Sequence, residues 1–119
     1  MIEQLTDFPG NIVAFICKGR VTRADYEAVL VPAVLQALEA HDKVRLYYET
    51  DSDFGGIDPG AMWEDFKIGM ENFMRWERVA LVTDIEWIKQ TVRLWGFLMP
   101  AATRVFPPAM QAREWIRAD

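Results

Sequence analysis

Three short, nearly continuous apolar runs constrain what this chain can fold into: Ile12–Lys18, Val44–Glu49 and Val79–Thr83. Such runs fit strands covered on both faces, as in a parallel sheet sandwiched by helices. Between them, apolar residues recur at helical spacing. Residues 2–6 read as an edge strand, turned back at Phe8-Pro9-Gly10-Asn11. Thr103–Phe106 reads as a last short strand, and Pro107-Pro108 leads into a final helix with Ala112, Trp115 and Ile116. The order is ββαβαβαβα in one α/β domain over 1–119, with a mainly parallel sheet after the N-terminal hairpin and right-handed crossovers.

The helices carry their own signals. Thr22 and Asp25 make a capping box ahead of Tyr26, Val29, Leu30, Val34, Leu35 and Leu38, while Pro32 inside that pattern predicts a kink or break. Gly19 ends the preceding strand, and His41 falls at the helix C-terminus. Asp58 and Pro59 open a second helix, where Trp63, Phe66, Met70, Phe73 and Met74 share one broad face with Met62 and Trp76. Asp84 starts a third, with Trp87, Ile88, Leu94, Trp95 and Leu98 apolar and Phe97 toward the polar side.

Composition excludes several functions. A net charge of −5 with arginine and lysine scattered among carboxylates offers no basic groove for nucleic acid. The lone Cys17 forbids an internal disulfide and fits a reducing, cytoplasmic setting. Met1–Leu5 has neither a basic region nor an apolar run, so no signal peptide is expected, and the longest apolar runs fall well short of a membrane span.

Catalysis can be tested almost by elimination, because the chain has one serine, Ser52, and one histidine, His41. Nucleophile and base must meet within hydrogen-bond reach. His41 precedes the central strand and Ser52 follows it, which separates them by on the order of 20 Å. Carboxylates crowd the loop after that strand, yet an EF-hand reading from Asp51 fails at Gly55 and Met62, so no metal is expected. Gly55-Gly56 precedes a helix without a P-loop lysine, and the neighbouring acids repel phosphate. The aromatic and methionine face of the second helix is the strongest remaining feature, since such side chains adapt to irregular apolar ligands.

Phe54-Gly55-Gly56, Trp63-Glu64-Asp65-Phe66, Arg78–Asp84 followed by Trp87, and Arg104-Val105-Phe106 with Ala112 and Trp115 resemble the SpoIIAA-like proteins of bacteria. That family belongs to the STAS group and shares its fold with Sec14-type (CRAL-TRIO) lipid-binding domains. The resemblance implies a non-enzymatic domain without a cofactor. On its Sec14-like side, a small apolar or lipid-like ligand would sit between sheet and helices against Trp63, Phe66, Met70, Phe73, Met74, Trp95 and Phe97. On its anti-anti-sigma side, a protein partner would be engaged through the loop Asp51, Ser52 and Asp53, with Ser52 as the phosphorylated residue; a homodimer is compatible with either. A phosphate there would face Asp51, Asp53 and Asp58, with no arginine expected nearby.

Overall fold

A computed structural model describes residues 1–60, 67, 75–98, 102–106 and 109–118, with the side chains of 91, 92, 95–98, 109 and 110 left aside. In chain order the elements are β1 (Ile2–Leu5), β2 (Ile12–Cys17), β3 (Arg20–Val21), α1 (Arg23–Asp25), a π turn (Tyr26–Leu30) and α2 (Val31–Ala40). They continue as β4 (Val44–Thr50), β5 (Gly56–Ile57), β6 (Trp76–Val82), α3 (Glu86–Leu98), β7 (Ala102–Phe106) and α4 (Ala109–Arg117). Pro59 and Gly60 are helical, as the proline after Asp58 predicts. The main sheet runs β1-β2-β4-β6-β7. β1 is antiparallel to β2, and every later pairing is parallel. Among the described residues no helix is long and apolar enough to cross a membrane.

Alternation along the strands builds two cores. Val13, Phe15, Cys17, Val44, Tyr48 and Leu81 pack on one face with Leu30, Val34 and Leu38 of the first helical unit and Ile88 of α3. Ile12, Ala14, Tyr47, Ala80 and Val82 face the other way, onto Ala112 and Ile116 of α4. Ala14, Ala80 and Ala112 are fully buried, and their small side chains let α4 lie close to the sheet. The tyrosine hydroxyls on both faces are satisfied: those of Tyr26 and Tyr48 meet at 2.9 Å, and that of Tyr47 donates to Glu49 at 2.5 Å.

Pro32 is accommodated by widening the helix just before it. The Val31 N–H bonds to the Tyr26 carbonyl, five residues back, so the π turn absorbs the donor and the space that proline removes. Two expectations are corrected. β6 starts at Trp76, not Val79, so Trp76 is a buried strand residue rather than part of a helical face. The cause is an irregularity in the β4–β6 register, where Val44 pairs with Trp76 but Arg45 with Arg78. Glu77 is the extra residue, and it turns Trp76 to the same face as Val79 and Leu81. The arginines, scattered in sequence, also converge in space. Arg45 and Arg78 donate to the carbonyls of Trp115, Ile116 and Ala118, closing the C-terminal end of α4.

The capping box forms as its spacing requires. Thr22 Oγ1 accepts from the Asp25 N–H, and Asp25 Oδ2 accepts from the Thr22 N–H. That backbone donor is the largest influence holding the Asp25 carboxyl below its ordinary 3.8, with the Thr22 hydroxyl adding to it. Thr22→Ala should lower stability by about 1 kcal/mol, read as a lower urea midpoint at unchanged slope. The contribution of Asp25 should be complete above its unfolded value and fade as pH falls through the lower folded one. Asp25→Asn should therefore flatten the acid limb of the stability curve.

Candidate functional site

The carboxyl edge of β2, β4 and β6 is shaped by short hydrogen bonds between loops. Gly19, at φ +56°, turns the chain out of β2 in a conformation that favours glycine. Its carbonyl accepts from the Gly55 N–H at 2.7 Å, and its N–H reaches Asp53 Oδ1 at 3.4 Å. Asp51 N–H bonds to the Cys17 carbonyl at 2.8 Å, and Phe54 N–H closes a turn onto the Asp51 carbonyl at 3.1 Å. Phe54 packs against the core below. The loop is thus held at both shoulders, with Ser52 exposed at its apex.

At that apex the Asp51 carboxylate turns inward to accept from the Ser52 N–H at 2.6 Å and from its hydroxyl at 3.4 Å. Beside this apex, Arg20 and Val21 pair with Gly56 and Ile57 in a two-residue parallel ladder, which the sequence did not reveal. The ladder carries Arg20 to this edge, where its guanidinium pairs with Asp58 at 2.5 Å. The expectation of a loop without an arginine is corrected: the sequence separation of 38 residues hid the contact. Thr50 and Thr83 hydroxyls bond at 2.8 Å, joining the ends of β4 and β6, and Thr83 Oγ1 accepts from Ile85 N–H at the entry to α3.

His41 lies at the other end. It caps α2 in extended conformation, and its imidazole Nε2 would stand 3.3 Å from a Cβ on Gly10, in the β1–β2 turn. The seven residues of β4 intervene between His41 and the Ser52 loop. Cys17 is fully buried in the apolar cluster beneath the loop. Tyr47 is held far above its ordinary ionisation range by burial first and by the Glu49 carboxylate second, so it serves as a neutral donor. Asp51 and Asp53 face backbone amides and Asp58 faces Arg20, and among the described residues no three ligating side chains gather as a metal would need.

Of the residues proposed to line an apolar site, Trp63, Phe66, Met70, Phe73 and Met74 lie outside the described residues, as do the side chains of Trp95 and Phe97. Two neighbours on α3 depart from expectation. Trp87 and Leu94, assigned to the apolar face, are 48% and 65% exposed. Ile88 supplies the buried contact instead, with Ile85 packed beside the same core. Trp87 sits in the first turn of α3, at the same carboxyl edge as Ser52. Its spacing of seven from Leu94 places both on one helix face.

A one-domain α/β fold with a central, mainly parallel sheet, helices on both faces and an anchored acidic loop at the carboxyl edge is a STAS-like architecture. A profile of the SpoIIAA-like family matches residues 12–117, and the chain belongs to that family. Among solved structures it is similar to an uncharacterized protein of the DUF3478 family from Shewanella loihica PV-4 that has a SpoIIAA-like fold. The TM-score is 0.72 at 23% identity, covering 97% of this chain and 93% of that one. None of the curated proteins compared with the chain matches it.

The loop's shape depends on backbone that side chains resist. Gly56 has φ +130°, and replacing it with alanine should cost about 1–3 kcal/mol and loosen the β3–β5 ladder. Gly19→Ala should cost about 1 kcal/mol, because nothing stands within 4 Å of its Cβ position and only the backbone conformation resists. Urea melts and amide exchange at Gly55 report both.

Proposed function

We propose that this protein is a non-catalytic recognition module that meets a protein partner through the Asp51–Asp53 loop. The observation that carries this reading is an exposed serine hydroxyl at the apex of a turn anchored to Cys17, Gly19 and the core. Rigid anchoring beneath an exposed polar tip lowers the ordering cost of binding. The exposed Trp87 on the adjacent helix supplies an apolar contact of the kind that dominates interfaces. Separation of Ser52 from His41, together with a family that is generally non-enzymatic, favours recognition over turnover.

A phosphate or carboxylate at position 52 would repel the Asp51 carboxylate that now accepts from Ser52, and would compete with Asp58 for Arg20. The turn then opens, and the surface offered to a partner changes. Affinity capture with the wild type, Ser52→Ala and Ser52→Asp tests this. The expected result is a partner held by wild type and Ser52→Ala but released by Ser52→Asp. Identical capture by all three would remove the switch.

A second reading, an apolar ligand between sheet and helices, is favoured by one buried group. Trp76 is 5% exposed, and its indole N–H meets no acceptor among the described residues. A buried donor left unmet costs about 1–3 kcal/mol, and a ligand's carboxylate or ester oxygen would satisfy it. Native mass spectrometry of the freshly purified protein should then show an added lipid-sized mass that Trp76→Phe reduces. Protein that stays ligand-free from several preparations would end that reading.

A further inference from the structure

Phe8, in the turn between β1 and β2, carries two cations on one ring. The Arg113 guanidinium lies 5.0 Å from the ring centre, and that of Arg117, one helical turn further along α4, lies 4.7 Å away. Phe8 itself packs on Tyr47 at 5.1 Å, so this platform rests on the core beneath α4. Stacking fixes each guanidinium plane and leaves its N–H edge for an acceptor.

Both edges converge on one residue. Asp7 Oδ2 accepts from Arg113 Nη1 at 2.6 Å and stands 3.9 Å from Arg117 Nη2, which donates to the Asp7 carbonyl at 2.6 Å. Elsewhere Arg20, Arg23 and Arg45 each have a carboxylate of their own, in Asp58, Glu27 and Glu77. Arg113 and Arg117 share a single one among the described residues. Glu49, on the same side of β4 as Tyr47, is engaged by the Tyr47 hydroxyl. The Arg113 bond is the largest influence holding the Asp7 carboxyl below its ordinary 3.8, so it is charged at neutral pH. The Asp7 side chain is 60% exposed, and Arg117 keeps its hold on the backbone carbonyl whether or not the carboxylate stays.

We infer that Arg113 and Arg117 form a receptor for a phosphate dianion, free or carried as a monoester, and that Asp7 is a built-in occupant which such a ligand displaces. A carboxylate brings one charge to two cations. A phosphate dianion brings two, with a third oxygen for the second guanidinium fork. Displacement frees the turn from its side-chain tie to α4 and leaves only the Arg117 bond to the Asp7 carbonyl. The Asp7 contact is therefore autoinhibitory. The turn precedes the amino end of β2, at the opposite sheet edge from the Ser52 loop, so the inference stands apart from that reading.

Nitrogen-15 NMR titrations of the full chain and of Asp7→Asn test this, at pH about 7.5 where phosphate is mainly dianionic. The probes are inorganic phosphate, a phosphoserine peptide and its unphosphorylated form, at an ionic strength held fixed with sodium chloride. Phosphate should shift the Arg113 and Arg117 side-chain N–H signals and the amides of Asp7, Phe8 and Gly10. Asp7→Asn should bind it at least about tenfold tighter. Arg113→Gln in the Asp7→Asn background should lose at least that factor, and Arg113→Lys should fall between, because it keeps the charge without the fork. Phosphopeptide binding above that of phosphate assigns the ligand to a phosphorylated protein, and equal binding assigns it to free phosphate or a small monoester. Each variant's spectrum reports that it is folded. Equal affinity of wild type and Asp7→Asn, unchanged affinity after Arg113→Gln, the same response to the unphosphorylated peptide, or no saturable shift at either arginine would each overturn the inference.

Discussion

Parallel pairing of β4 with β2 on one side and β6 on the other is the constraint on which the structure rests. Tyr47 and Tyr48, adjacent on β4, point into opposite cores, and each hydroxyl finds a partner that allows it to be buried. One face takes the Pro32-bearing helical unit and α3, and the other takes α4 against alanines. Because parallel strands need crossovers, every loop of one kind gathers at a single sheet edge. That is why residues as distant as Gly19, Asp53, Arg20, Asp58 and Thr83 gather at one edge of the sheet.

Among the described residues the groups that could react stand apart, which supports the proposed recognition role over reaction chemistry. A strand's length separates the serine from the histidine, the cysteine is sealed in the core, and the carboxylates are turned onto amides or onto Arg20. What stays exposed is a hydroxyl on a firm turn, with an exposed tryptophan on the neighbouring helix.

Much of the fold was legible because its signals are local. Strand runs, the Thr22–Asp25 box and the Pro32 irregularity each depend on neighbours within a few residues. The features that escaped depend on tertiary context. Gly55-Gly56 before a helix resembles a phosphate cradle in sequence, whereas in the fold Gly56 supplies a left-handed backbone for a two-residue ladder with Arg20. Trp76 matched a helical wheel and was moved to a strand by one extra residue, Glu77. Trp87 beside Ile88 shows the limit of apolar counting, since of these two adjacent residues only Ile88 is buried. Arg45, Arg78 and Arg104, far apart in sequence, meet only because three parallel strands present them to α4.

The most direct measurement is the distance between positions 41 and 52. Nitroxide labels on His41→Cys and Ser52→Cys, in a Cys17→Ala background, can be read by pulsed dipolar spectroscopy. A single population at about 20 Å or beyond is the predicted result, set by the rise of a seven-residue strand. Strong dipolar broadening from labels in near contact would contradict it, because histidine and serine would then share one site.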